Sequence, residues 1–366
     1  MKILPTRTRV ARASAFAAAA IGSVVLCAGS AQATWTVTNL HPAGSDQSHA
    51  YSTTGAQRSG NADIGGVTQA GIWSGSAASW INLHPAGSTN SSARSTTGTQ
   101  QAGFAQIGGV GQAGIWSGSA ASWVSLHPAG ATTSAAAATT GVQQAGVAEF
   151  GGVVQAGIWS GTAGSFVSLH PTGASESQAY GTTGAQQSGY AVLSGVSRAG
   201  VWSGTGASWV DLNPAGSLGS RALHTTGAQQ AGYAHIGGVQ QAGIWSNSAA
   251  SWVSLHPAGS TNSSARSTTG TQQAGHAVIG GLFHAGVWSG TAGSWDDLSV
   301  ALTGSWSHTF AYSIWSDASF TYVSGAGLNN TTNQLEALLW TQPIPTPGAA
   351  AVLGLAGLMG AGRRRR

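Results

Sequence analysis

Charge is what this chain has least of. Of its 366 residues, 13 are Lys or Arg and 9 are Asp or Glu, a charged fraction of 6%, where an ordinary soluble domain carries about a quarter. That scarcity excludes a highly charged disordered chain and a long charged helix or coiled coil. It also thins the candidates for acid–base chemistry. Paired carboxylates work at separations of roughly 5–10 Å, yet Asp46, Asp63, Glu149, Glu176, Asp211, Asp317 and Glu336 are scattered. Asp296 and Asp297 are adjacent, so in a strand or turn their side chains diverge. Cysteine is nearly absent: Cys27 is the only one. No Gly-x-Ser-x-Gly elbow, His-Glu-x-x-His motif or calcium loop occurs, and the glycine-rich turns lack the lysine of a phosphate loop. No catalytic, cofactor-binding or metal-binding residue is assigned on this basis, and no enzymatic activity is expected.

The charge that is present sits at the ends. Lys2, Arg7, Arg9 and Arg12 open the chain, and Arg363, Arg364, Arg365 and Arg366 close it. Between them lie five arginines and all nine acids, a formal −4. A pI near 9.6 would ordinarily suggest a nucleic-acid partner. Here the basic residues belong to terminal signals, so no nucleic-acid partner is expected.

The N-terminal segment, residues 1–33, reads as a secretory signal peptide. Its basic start is followed by a small, apolar stretch over 14–28, too short for a membrane span. Ala31 and Ala33 then form the small-x-small pattern that signal peptidase cleaves, so the mature chain should begin at Thr34, without cysteine. At the other end, residues 341–366 combine Pro343, Pro345, Thr346 and Pro347 with an apolar run over 349–362 and the four terminal arginines. Such arginines hold their end on the cytoplasmic side. This order resembles the PEP-CTERM sorting signal of bacterial envelope proteins, departing from it where Pro345-Thr346-Pro347 replaces the family's usual Pro-Glu-Pro. The resemblance implies an exosortase-type protease as processing partner and a transient membrane association through an apolar C-terminal helix. A plain C-terminal membrane anchor is the alternative.

Everything between is one unit, copied. Leu-His-Pro recurs every 43 residues, with histidines at 41, 84, 127, 170 and 256 and Asn213 in the remaining place. Trp73, Trp116, Trp159, Trp202, Trp245 and Trp288 keep the same period. So do Trp80, Trp123, Phe166, Trp209, Trp252 and Trp295. Residues 88–103 recur unchanged at 260–275. Full units run over 41–83, 84–126, 127–169, 170–212, 213–255 and 256–298, and a divergent last unit covers 299–340.

Each unit holds four short strand candidates punctuated by glycine, near 93–97, 101–107, 112–116 and 122–126 in the second. Four strands in about 43 residues fit one propeller blade. We therefore expect an all-β propeller over 34–340, with seven blades, against the alternatives of six blades or a β-solenoid. The six periodic tryptophans from Trp73 to Trp288 should pack between blades. Ala113 and Gly114 should allow close approach near the axis. Residues 35–40 form a lone copy of the fourth strand and should close the ring with strands from 299–325. In that last unit, 310–315 looks like the Trp-bearing third strand.

The stretches Ala70–Leu83, Ala113–Leu126, Ala199–Leu212 and Ala285–Leu298 resemble the HAF repeats of secreted bacterial proteins. That resemblance implies a propeller-like fold in an envelope setting and no particular chemistry.

The Leu-His-Pro histidines would stand one per blade on a rim, too far apart to share a metal ion. Asn213 and Ser299 replace them without breaking the repeat, which points to a turn hydrogen bond. Two function classes remain. One is a non-enzymatic exported envelope or matrix protein, a rigid display or adhesion scaffold. Its Ser, Thr, Gln and Asn residues suit contact with polysaccharide, and its sparse charge suits contact insensitive to salt. The alternative is a secreted glycan-active or other hydrolytic propeller. An enzyme should gather unlike polar residues from several blades in a central pocket, whereas a scaffold should repeat one residue at each level.

Overall fold

The computed structural model describes residues 34–345. They form a seven-bladed β-propeller of four-stranded antiparallel sheets. In blade one the strands, from the axis outward, are Gln47–Thr53, Arg58–Ile64, Val67–Trp73 and Ile81–Asn82. Blade two repeats them as Ser88–Thr96, Gln101–Ile107, Val110–Trp116 and Val124–Ser125. Inner strands of neighbouring blades touch all the way round, blade seven against blade one. The closed ring excludes both the six-blade and the solenoid alternatives, and closure leaves no large exposed sheet edge at the axis.

The local signals explain the strands. Between the second and third strands of blade two, Gly108 and Gly109 both have positive φ, 60° and 81°. A two-residue hairpin turn with both centres left-handed matches the twist of the strands it joins. The outer strand is shorter than its apolar residues suggest. In blade two the strand is Val124–Ser125, extended by the Leu126 N–H bond to the Ala113 carbonyl at 2.7 Å, because Ala120–Ser122 forms a 3-10 turn that delivers Trp123 onto the sheet.

Blade seven departs from expectation in three ways. Residues 310–315 belong to its innermost strand, Trp306–Ser316, and not to a third strand. The third strand is Gln334–Pro343, and its Trp340 is a seventh fully buried tryptophan beside the six in the periodic series. The N-terminal strand Thr36–Asn39 pairs with this strand, Val37 opposite Trp340, beyond the 299–325 segment expected to receive it. The blade therefore runs past 340: Pro343 is the last residue of its third strand, opposite Phe320.

Packing between blades combines apolar contacts with polar ones. Trp116 is fully buried against Ala70, Ile72 and Leu83 of the preceding blade. Trp73, Trp159, Trp202, Trp245 and Trp288 are likewise fully buried. Trp123 tilts over Trp116 with ring centres 4.5 Å apart and covers Gly114. Ala113 and Gly114 thus lie on the third strand under a tryptophan, away from the axis where close approach had been expected.

The polar contacts are two repeated latches. Gln57 of blade one accepts from Thr96 Oγ1 at 2.6 Å and from Gln101 Nε2 at 2.7 Å, both in blade two. The same pair converges on Gln100, Gln143, Gln186 and Gln229 at the next four junctions. The second latch uses the Leu-His-Pro histidines. Ser91 Oγ accepts from the buried Ala70 N–H of the preceding blade at 2.9 Å and lies 2.7 Å from His84 Nδ1. His84 Nε2 lies 3.0 Å from the Ser88 carbonyl. A carbonyl can only accept, so Nε2 carries the proton and Nδ1 accepts from Ser91. His41, His127, His170 and His256 repeat this contact with Ser48, Ser134, Ser177 and Ser263. Asn213 Oδ1 substitutes by accepting from Ser220 at 2.6 Å.

Candidate functional site

The site is built by a defect repeated in every blade. The inner strands carry an alanine in register with a glycine of the second strand: Ala50 with Gly60, Ala93 with Gly103, and so on to Ala311 with Gly325. The residue after each alanine is skipped by the pairing, a β-bulge. A bulge frees one residue from the ladder and re-aims its side chain. The seven skipped residues are Tyr51, Arg94, Ala137, Tyr180, Leu223, Arg266 and Tyr312, and all seven line the channel.

This ring separates two cavities. The one on the Thr-rich side has a volume of about 610 Å³ and includes Thr53, Thr96, Thr139, Thr182 and Thr268, one residue repeated at one level. The other, about 660 Å³, adds Asn90, Ser92, Arg221, Tyr233, Gln240 and Ser264 to the ring. It therefore gathers unlike polar residues from several blades, the arrangement expected of the hydrolytic alternative, while the Thr level shows the repetition expected of a scaffold; no Asp or Glu is among the larger cavity's lining residues. Volumes of this order suit a ligand of drug-like size.

Three of the five arginines in the domain line the larger cavity. Arg221 lies 4.1 Å from the Tyr190 ring centre and donates to Tyr180 Oη at 3.4 Å. The Arg94 guanidinium stands 5.0 Å from the centre of Phe104. Neither Arg94 nor Arg266 has an ion pair or hydrogen bond among the described residues, and none of the cavity's lining residues is a carboxylate. Arg94 reaches channel water but is walled in by the blades, and this enclosure pulls its pKa down, opposed by Tyr51 and Tyr180. Enclosure pushes the Tyr51 phenol up, and the neighbouring Arg94 draws it back. Both are in their ordinary forms at neutral pH: a cation and a neutral phenol. The aromatic side of the ring is continuous, with Tyr51 and Tyr312 centres 5.3 Å apart and His49 stacked on Tyr51 at 5.4 Å.

Two histidines lie against this wall. Burial pulls His276 down to about 3, with Arg266 acting in the same direction, and His224 down to about 4. Both are neutral at physiological pH. The cavity wall offers guanidinium charge, phenol faces, amides and hydroxyls around one partly open volume.

The residues singled out from the sequence lie elsewhere. The six periodic tryptophans are interior, remote from solvent. Asp296 accepts from Trp35 Nε1, while Asp297 meets His284 and Ser299, so the adjacent acids do diverge. No group of three or more His, Cys, Asp or Glu side chains able to hold a metal occurs among the described residues. Pro343 and Pro345 are described, Pro343 within the last strand. Ala31, Ala33, Thr346, Pro347, Arg363, Arg364, Arg365 and Arg366 lie outside the described residues. No helix among the described residues is long and apolar enough to cross a membrane.

The channel ring was missed by sequence reasoning, although a signal was present. A glycine inside every second strand, after Gln-Ala or Gln-Ser in blades two to six, is a known mark of a bulge or close backbone approach. Aligned on the period, the residues flanking the invariant alanine are the ones that vary.

No protein-family model matches the chain, and no curated protein matches it. Among solved structures it is similar to a TolB of Agrobacterium tumefaciens at 11% identity and a TM-score of 0.44, covering 68% of this chain and 87% of that one. A TolB of Acinetobacter baumannii is similar at 12% identity and a TM-score of 0.41, covering 68% of this chain and 64% of that one. The seven-blade assignment rests on the strand pairing itself.

Proposed function

We propose that this chain is an exported, non-enzymatic propeller of the cell envelope or extracellular matrix that binds saccharide in its central channel. One observation carries the reading. In a domain made by copying a unit, the packing positions and the threonine level of the channel keep their residues, and the bulged channel positions do not. Alanine stands before each of the seven channel bulges and glycine opposite it, while the bulged residues are Tyr, Arg, Ala, Tyr, Leu, Arg and Tyr. Packing explains the sameness, and a ligand held by several blades at once explains the difference. Tyrosine faces and surrounding amides and hydroxyls suit a sugar ring, which is apolar on its faces and hydroxylated at its rim.

Export belongs to the same proposal. The charge pattern of residues 1–33 supports removal by signal peptidase, and the order of residues 341–366 supports sorting by an exosortase-type protease, with a transient membrane stage. Affinity electrophoresis through gels containing soluble bacterial polysaccharide tests the binding. The wild-type chain should be retarded, and a Tyr51→Ala/Tyr312→Ala variant with unchanged melting temperature should not. Equal mobility of the two in every polysaccharide would remove the channel from the function.

A further inference from the structure

We propose that the channel cavity selects an anionic saccharide, one whose sugar ring carries a carboxylate, and that Arg94 and Arg266 receive that carboxylate. This rests on the saccharide-binding reading above and specifies its ligand.

The argument starts from charge. The domain between the terminal signals is formally −4, with five arginines among about three hundred residues. Arg198 pairs with Asp211 at 2.9 Å, and Arg58 is buried under Tyr322. The other three line one cavity whose lining contains no carboxylate. Arg94 and Arg266 are exposed to this channel and no anionic side chain lines it, so the cavity wall presents positive charge that raises the local concentration of an anionic ligand. Arg221 is engaged by Tyr180 and Tyr190, whereas Arg94 and Arg266 have no hydrogen-bonding or ionic partner among the described residues.

The position of the two arginines is specific. They occupy corresponding places in the identical segments 88–103 and 260–275, hence in blades two and six. The same segments place Ser92 and Ser264 in the lining beside them. Both arginines are bulged residues, so the backbone device that frees a side chain from the sheet is used in these blades to present a guanidinium. A planar guanidinium fork matches a carboxylate in bidentate geometry. Between the two arginines, by way of blades seven and one, stand Tyr312 and Tyr51, which offer ring faces to the sugar. The volume of about 660 Å³ fits one or two sugar units, so the ligand is a free acidic sugar or the end of an acidic chain. Such contact is salt-sensitive, unlike the salt-insensitive contact that the sparse overall charge suggests.

Isothermal titration calorimetry of the full chain tests this with four probes: galacturonate, digalacturonate, the methyl ester of digalacturonate, and a sulfated disaccharide. Digalacturonate should bind, its methyl ester at least tenfold more weakly, and Arg266→Ala should lose tenfold or more. Blade three carries Ala137 at this place, so the substitution is compatible with the blade. Arg266→Lys, which keeps charge without the fork, should fall between. Binding of galacturonate as tight as that of the dimer identifies a free acidic sugar, and tighter binding of the dimer identifies a chain end. Equal affinity for acid and ester, or unchanged affinity in Arg94→Ala and Arg266→Ala, overturns anion selection while leaving saccharide binding in place. Preference for the sulfated probe overturns the carboxylate assignment. Binding of neither acid nor ester, with no retardation by any polysaccharide, removes both readings.

Discussion

The Cβ that Gly103 lacks would lie 1.9 Å from the carbonyl oxygen of Ser92. That oxygen belongs to the peptide just before Ala93 and the bulged Arg94, so the glycine makes room for the bulge that turns Arg94 into the channel. Gly103→Ala should push the inner strand away, at a cost of ~1–3 kcal/mol or more where backbone must move. Urea unfolding should report the loss, and binding through Arg94 should fall with it. A fully stable Gly103→Ala protein would show that the bulge does not depend on the glycine.

The interblade tryptophans should behave as packing residues. Trp116→Ala removes a fully buried ring set against the preceding blade and should cost about 3–5 kcal/mol. Trp116→Phe should cost much less, because the indole N–H of Trp116 has no hydrogen-bond partner among the described residues. Comparison of the two by thermal and denaturant unfolding checks this, and ligand affinity should change little while the variant is folded.

The histidine latch gives a contrast between two substitutions. His84→Ala leaves Ser91 without its acceptor next to a buried backbone N–H, a loss of about 1–3 kcal/mol. His84→Asn should retain most stability, since Asn213 already plays that part toward Ser220 in blade five. Equal losses in the two variants would show that the ring's bulk, and not its acceptor, is what counts.

Acid should destabilise the fold through His276. Its folded pKa is about 3 against an ordinary 6.5, lowered first by burial and then by Arg266. Between those values the unfolded chain binds the proton and the folded chain does not, so stability falls as pH drops below about 6.5. The slope is ~1.4 kcal/mol per pH unit for this residue. His276→Phe, the residue blade two carries as Phe104, should flatten the slope of unfolding free energy between pH 6 and pH 4. A slope unchanged by the substitution would assign the acid sensitivity to other groups, His224 first among them.

What the sequence determined by itself is what repetition exposes. A 43-residue period, a tryptophan and a Gly-Gly turn in nearly every copy, and a lone strand at 35–40 specify stacked four-stranded blades and their closure by the N-terminus. These features recur because each blade must solve the same packing problem against its neighbour. Blade seven was harder to read because its third strand, with Trp340, lies outside the period and was displaced by a longer inner strand. The Thr–Gln latch was present as Thr-Thr-Gly-x-Gln-Gln but could not be paired, since its partners lie about 40 residues apart and meet only when blades stack. Only the tertiary structure decided the site. Tyr51, Arg94, Ala137, Tyr180, Leu223, Arg266 and Tyr312 look unrelated along the chain. They share one level because each sheet carries a bulge at one place and because seven sheets, not six, close around one axis. Ring closure, a property of the whole chain, turns seven separate local defects into one cavity wall.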